Sequence, residues 1–578
     1  MRRLPSVRLS FSGLAADVEE ATWAQHFQVV KTLNRRSGDY NSNIAFVFPV
    51  TRDLEAREAA AVFLDLLVRH ESLRTRFRRG PSGDIQQSVA GDGTLEFEVI
   101  ECRSAEESET EAHLEMNRLT AIDFDIGTDL GLRASIITLR NTVSHIAVCA
   151  SHAAADAWAV EMLKDELQEL LSDDDGSGDR PSGVQSLDTT PLRPIALARG
   201  EQSADGQRTE AASLAYVEDV LRKSPQSMFA TFAGVGTADA TRGKLYSTAA
   251  RTAAESIAAR LRVSTTMVYY AAICALLSWL NSTPRCYLSL AFANRSTPEE
   301  RVYIGPMVAD ADIVVDAVSG TFEDLIYRVR LEAMMAYSNC RYDVAKYVSL
   351  ADKVGRERGM AFDRWLLVND LQLLDRSDPA GRSEHAPTVD RPATRFEVVQ
   401  PRALRALRSR DNEPPTPVRF HLAIATKDEY VIFDMQCSTA ILSNDNVRAF
   451  LYGIEQIVRQ SVDAPTPLTS LGDVVDLRRY ERGDDWVFVD HSWVHLPSVA
   501  NMLRTLAVGD GSGVSVREGQ DGQPVIAAEI GSGDGRLFDV AEVHARVSEV
   551  LHRFGPVIAP HEYLVEGVVH AAARTGIR

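Results

Sequence analysis

The segment that most constrains this chain is a pair of apolar, β-rich runs that lead directly into a helix. Leu132 to Leu139 and Val143 to Ala150 are joined by Arg140-Asn141-Thr142 and read as a hairpin. The second run ends in Cys149-Ala-Ser151-His152-Ala-Ala-Ala-Asp156-Ala157-Trp158, after which Trp158 to Leu171 has the spacing of an amphipathic helix. A strand that empties into a helix requires an α/β arrangement. His152 then lies just past a strand end, and Asp156 at a helix start, where an acidic or capping residue is favoured.

The same alternation recurs along the chain. Ile44 to Val50 reads as a strand and Leu54 to His70 as a helix, with Ala60, Phe63, Leu64, Leu67 and Val68 at helical spacing. Residues 172 to 212 hold Ser172-Asp-Asp-Asp-Gly-Ser-Gly, three prolines and little apolar periodicity, which reads as a linker. Beyond it Ser264 to Leu280 and Phe322 to Ser338 read as helices and Cys286 to Ala293 as a strand. Leu422 to Ala425 with Val431 to Met435 reads as a second hairpin, and residues 376 to 417 as a polar, Pro- and Arg-rich insertion. At 578 residues, two to four domains are expected, here two α/β units and a third unit over 476 to 578.

A net charge of −19 argues against nucleic acid or an anionic membrane as a general partner. The run Arg402, Arg405, Arg408 and Arg410 reads as a solvated surface segment. Six cysteines without Cys-x-x-Cys spacing speak against a structural zinc site or a disulfide framework, and fit small buried side chains in a reducing compartment. His145 alternates within a strand, and His491, His495, His561 and His570 suit no zinc spacing, so no metal is expected. The opening Met1-Arg-Arg-Leu-Pro lacks the apolar run of a secretory signal, and no run of about 18 apolar residues occurs. A cytoplasmic protein is the expectation. Ser151 has no Gly-x-Ser-x-Gly setting, which argues against covalent serine catalysis.

His-x-x-x-Asp alone is common by chance. Here it follows Arg69-His70-Glu71-Ser72-Leu73-Arg74-Thr75, and this pair of motifs, in this order, resembles the condensation domains of nonribosomal peptide synthetases. Tyr40-Asn41-Ser42-Asn43, Phe124-Asp125 before Leu130-Gly131-Leu132-Arg133, Ala293-Asn294-Arg295 and Ile304-Gly305-Pro306-Met307-Val308 extend the resemblance over most of residues 1 to 475.

The resemblance implies two pseudo-related chloramphenicol-acetyltransferase-like lobes forming a V with a tunnel, plus a small C-terminal α+β domain. The corresponding division is an N-terminal lobe over 1–175, a linker over 176–212, a C-terminal lobe over 213–475 and the appended unit over 476–578. It implies a free-standing acyltransferase that joins a phosphopantetheine-thioester-bound acyl group to an amine or alcohol, in specialised-metabolite biosynthesis. No bound cofactor is expected. The donor arrives on an acyl or peptidyl carrier protein in trans, or as a coenzyme A thioester, and the acceptor is a small molecule or is carrier-bound. A monomer is expected.

His152 is the implied catalytic residue, as base or as positioner of the nucleophile. Asp156 is implied to turn away and pair with an arginine, for which Arg295 is the candidate. Ser151, Ala157 and Trp158 complete the active-site wording. The family usually has two adjacent histidines, the first where Ser151 stands and the second retained as His152, and a glycine where Ala157 stands; these departures touch local packing and substrate size. The motif around Arg74 reads as structural, ending a helix and tying it to the sheet. A catalytically degenerate domain that recruits a partner enzyme or carrier is the alternative. Trp486-Val-Phe-Val-Asp490, Val494 to Leu503, Val525 to Glu529 and Pro560 to Tyr563 loosely resemble the C-terminal subdomain of adenylation enzymes. That family usually keeps a lysine where Ile577 stands, and no glycine-rich phosphate loop is present, so adenylation is not expected.

Overall fold

The computed structural model describes residues 1–33, 43–81, 83–171, 191–230, 240–364, 366–372, 393–401, 419–508, 513–519, 522–531, 539–565 and 568–572. Tyr40 to Ser42, the four arginines from Arg402 to Arg410 and the Ile577 position lie outside these residues. The chain divides into two compact units. The first comprises Met1–Ala211, Ala293–Ala309 and Arg341–Val344, and the second Ala212–Phe292, Asp310–Cys340 and Ala345–Arg578.

The first unit is built on five strands in the spatial order Arg2–Phe11, Gly93–Cys102, Leu132–Leu139, Thr142–Ala150 and Ile44–Pro49. The central hairpin closes through Arg140 and Asn141, both left-handed at φ 56° and 68°, the backbone of a primed two-residue turn that matches strand twist. Because side chains alternate across a strand, the sheet feeds a core on each face. On one, Phe97, Ile136, Ile146 and Val148 meet Phe63, Leu66 and Leu67 of the helix Ala56–Arg69 and Leu163 and Leu167 of the helix Ala157–Leu171. On the other, Ile100, Ile137, Ala147 and Cys149 meet Val29, Ala112 and Leu119. Each such Leu, Ile or Phe stabilises by roughly 1.5–3 kcal/mol on burial.

The second unit has a seven-stranded sheet in the order Ala309–Asp316, Arg285–Phe292, Leu366–Asp370, Phe420–Lys427, Tyr430–Ser438, Ala240–Ser247 and Thr394–Val398. Its central helix Thr265–Asn281 is buried along most of its length. Among the described residues no single helix is long and apolar enough to cross a membrane, and all six cysteines are buried, none in a disulfide.

Of the expected linker, residues 194–202 and 204–212 are helical. Pro194–Gln202 and Ala204–Lys223 are both helices, the first opened by a proline at its first position, where a missing N–H costs nothing. Pro191, Pro194 and Gly200 punctuate helix ends rather than an unstructured connector.

Residues 476–578 fall within the second unit. They form a hairpin over Trp486–Val489 and Ser492–His495, then a four-stranded sheet ordered Val514–Glu518, Pro524–Ile530, Glu562–Val565 and Val568–Ala571. Their core of Val494, Met502, Leu503, Ile526, Val547 and Tyr563 includes Met360 from before the sheet strand Leu366–Asp370. Beside it Arg358 donates from Nη2 to Asp490 Oδ1 at 2.8 Å and from Nε to Oδ2 at 3.1 Å. The appended stretch thus takes Met360 into its own apolar core.

Candidate active site

The strand Thr142–Ala150 delivers the chain into a tight turn. Ser151 N–H donates to the Gly131 carbonyl at 2.9 Å, and Gly131 N–H to the Leu73 carbonyl at 2.8 Å. The Ser151 carbonyl accepts from Ala154 N–H at 2.9 Å and Ala155 N–H at 3.0 Å, while its Oγ accepts from Ala153 N–H at 3.3 Å. Of residues 151–156 all are buried except His152, which is half-buried. The other side chains of this run are packed away, and the imidazole is the one that keeps partial exposure.

Asp156 ends the turn and caps the helix Ala157–Leu171, its Oδ1 accepting from Ala159 N–H at 2.9 Å. Arg295 binds the same carboxylate through two nitrogens, Nη1 to Oδ2 and Nη2 to Oδ1, each at 2.9 Å. Met307 N–H and Val308 N–H donate to Oδ2 at 2.8 and 3.0 Å. With five donors the carboxylate is committed to structure. Burial alone would raise its pKa, but the Arg295 guanidinium and the backbone N–H groups outweigh it and hold the group below the usual carboxylate range. The same two nitrogens of Arg295 also donate to the Ala293 and Gly305 carbonyls at 3.0 and 2.7 Å. The side chains of both partners are at most 2 % exposed, so the pair works as a clamp between the turn and the segment 293–309.

Two neighbours extend this clamp. Trp158 Nε1 donates to the Arg301 carbonyl at 2.8 Å, and Ser72 Oγ donates to Tyr303 Oη at 3.1 Å. Ala157 is the first helical residue and contributes a half-buried methyl.

The upstream motif is buried at Glu71, Ser72, Leu73 and Arg74. Glu166 takes His70 Nε2 at 2.6 Å and Arg69 Nε at 2.9 Å. Arg74 Nη1 donates to the Ala90 carbonyl at 2.7 Å and the Ala15 carbonyl at 3.2 Å, and Thr75 Oγ1 to the Glu71 carbonyl at 2.8 Å. The motif's link to His152 runs through backbone, from Leu73 by way of Gly131 to Ser151.

Sequence reading does not single out Gly131 as a connector, the Met307 and Val308 amides as ligands of Asp156, or Tyr303 and Glu166 as partners. Backbone donors carry no signature in a sequence, and Tyr303 stands just outside the motif that contains Gly305. Elsewhere, His495 Nδ1 pairs with Ser498 Oγ at 2.8 Å, and His561 Nδ1 accepts from Ile526 N–H at 3.2 Å, both packing roles. Among the described residues no group of His, Cys, Asp or Glu is arranged to hold a metal.

Comparison with known proteins bears on this site. Residues 18–183, which hold both motifs, match the Condensation domain family model. The isonitrile lipopeptide synthase of Mycobacterium tuberculosis (strain ATCC 25618 / H37Rv) is 26 % identical over 318 residues, 53 % of this chain and 12 % of that protein. A linear gramicidin synthase of Brevibacillus parabrevis is 24 % identical over 356 residues, 59 % of this chain and 7 % of that protein. The chain thus spans a small fraction of the curated relatives it matches. Among solved structures, the condensation domain for chain release from the enacyloxin polyketide synthase superposes with a TM-score of 0.57 at 14 % identity, over 78 % of this chain and 83 % of that one. The condensation domain of the Monacolin K polyketide synthase does so with a TM-score of 0.57 at 16 % identity, over 79 % of this chain and all of that one. The fold is that of condensation domains, and the sequence match to that family lies in residues 18–183.

Proposed function

We propose that this chain is a condensation enzyme that transfers an acyl group from a phosphopantetheine thioester to an amine or alcohol, with His152 as the catalytic residue. The observation that carries the reading is the turn 151–156: it is bonded at both ends, packed along its length, and carries a half-buried imidazole at its second position. In the reaction the acceptor N–H or O–H is held at the imidazole, its heteroatom attacks the thioester carbonyl, the C–S bond breaks, and the acceptor's proton passes by way of His152 to the departing thiolate. A histidine near neutral pKa suits that relay. Asp156 and Arg295 are assigned to holding the turn, and Ser151, Ala157 and Trp158 to its packing.

The donor is assigned to a carrier protein acting in trans, the phosphopantetheine arm being part of the substrate. The protein itself needs no cofactor in this reading. Residues 1–175 and 213–475 are taken as the two lobes, and 476–578 as a non-catalytic platform whose shared core with Met360 makes it a support for the second unit rather than a nucleotide-binding subdomain. Intact-mass analysis of an acyl-loaded carrier, incubated with the protein and candidate acceptors, tests the proposal. Product and discharged carrier support it. Stable carrier binding without discharge would sink it and point to a recruitment domain. Saturable ATP binding by calorimetry would overturn the assignment of 476–578.

A further inference from the structure

We infer that Gly131 is a positioning residue for His152, acting through a contact that admits no side chain. The inference rests on the proposed role of His152. A Cβ built on Gly131 falls 2.4 Å from the Ala154 Cβ and 3.3 Å from the Leu73 carbonyl oxygen, and the first separation is one that real Cβ atoms do not tolerate. Ala154 has no freedom to yield alone, being a methyl on the turn that carries His152, tied by its N–H to the Ser151 carbonyl at 2.9 Å and flanked by the buried Ala153 and Ala155. Gly131 also holds the turn by backbone, since its carbonyl accepts Ser151 N–H at 2.9 Å. One residue therefore fixes the turn's start by a hydrogen bond and its height by the absence of a side chain.

Clash at this point converts to displacement of the turn. A small cavity lined by Gly131, Ser151, Ala153 and Ala154, among others, adjoins the contact. Asp156 stays clamped at the far end by Arg295, Met307 and Val308. His152 lies between the Ser151 anchor and Ala154, so displacement of the Ala154 methyl is passed back through Ala153 to the imidazole. A shift near 1 Å at a catalytic group costs up to roughly 100-fold in rate.

The test is a compensating pair. Gly131→Ala is expected to lower kcat about 10- to 100-fold with KM for donor and acceptor within about twofold, and to move the His152 imidazole NMR signals and their pH midpoint. Gly131→Ala/Ala154→Gly, which removes the opposing methyl, is expected to return kcat to within about threefold of the native protein and to restore the signals. Ala154→Gly alone serves as the control. The NMR arm reads His152 whether or not turnover exists, so an inactive native protein would sink the proposed function while the signals still decide this inference. Unmoved His152 signals in a folded Gly131→Ala protein, or a double variant no better than the single one, would overturn it. Should Gly131→Ala fail to fold, Gly131→Ala/Ala154→Gly decides, because recovery of both fold and His152 signals in it requires the same contact.

Discussion

Each unit contains a hairpin that runs through a serine-anchored turn into a helix, and the two are built alike. In the first, strands of eight and nine residues, Leu132–Leu139 and Thr142–Ala150, are followed by Ser151 and a helix from Ala157. In the second, Phe420–Lys427 and Tyr430–Ser438 also have eight and nine residues, and a helix begins at Asn444. Ser151 N–H bonds the carbonyl of the residue before the first strand, Gly131, at 2.9 Å, and Ser438 N–H bonds that of Arg419 at 3.0 Å. Each serine Oγ accepts the N–H two residues on at 3.3 Å, and each serine carbonyl takes the amides three and four residues on. What differs is side chains. Thr439 stands where His152 does, Ser443 caps where Asp156 does, and Arg419, ion-paired to Asp363, replaces Gly131. The serine-anchored turn is thus a property of this kind of crossover. Chemistry is assigned to the copy in which a histidine, a clamped carboxylate and a glycine coincide.

That contrast is open to attack in order of effect. Asp156→Ala strands the buried Arg295 and should cost roughly 3–5 kcal/mol in a denaturant series. The Asp156→Ala/Arg295→Ala protein should lose less than the two single changes summed, and additivity would show the pair to be uncoupled. His152→Ala should lower turnover at least roughly 100-fold with the fold retained; a native rate after subtracting background transfer would remove the distinction between the two turns.

Acid should separate them next. The Asp156 carboxyl is held below its ordinary 3.8, so its contribution to stability is complete above that value and fades as pH falls through the folded-state value. The stability gap between the native protein and Asp156→Asn should be flat above about pH 5 and narrow below it. No such pH term is expected from Ser443, which does not titrate. Ser443→Ala should cost only about 1 kcal/mol for a lost cap. Thr439→Ala should leave turnover within about twofold, which a steady-state assay checks; a larger loss would mean that the second turn takes part in the chemistry.

Local features were legible because they rest on local causes. Alternation and β-branching mark both hairpins, and the helix at Phe322–Ser338 has its capping Thr321 and Asp324 in sequence. Long-range joins were not legible. Nothing in Ala293 to Ala309 signals that it packs with residues far upstream, and Asp156 could be linked to Arg295 only through resemblance between motifs. The Gly131–Ala154 contact is invisible for a plainer reason: a glycine advertises freedom, and here it supplies vacancy. The helices after residue 191 were obscured by prolines and glycines that sit at their ends.

The clamp on Asp156 also has an order in time. Its carboxylate lies in the first stretch of the chain, yet Arg295, Met307 and Val308 are made roughly a hundred residues after the unit's main body ends at Ala211. At ordinary translation speeds of about 5–20 residues per second, the ribosome needs roughly 5–20 s to supply them. During that interval the nascent first unit holds a helix cap whose countercharge does not yet exist, and the turn bearing His152 has one of its two anchors. The turn that carries His152 is therefore set late, by the arrival of a distant segment, and a pause in synthesis between those points would prolong its exposure to misfolding or proteolysis.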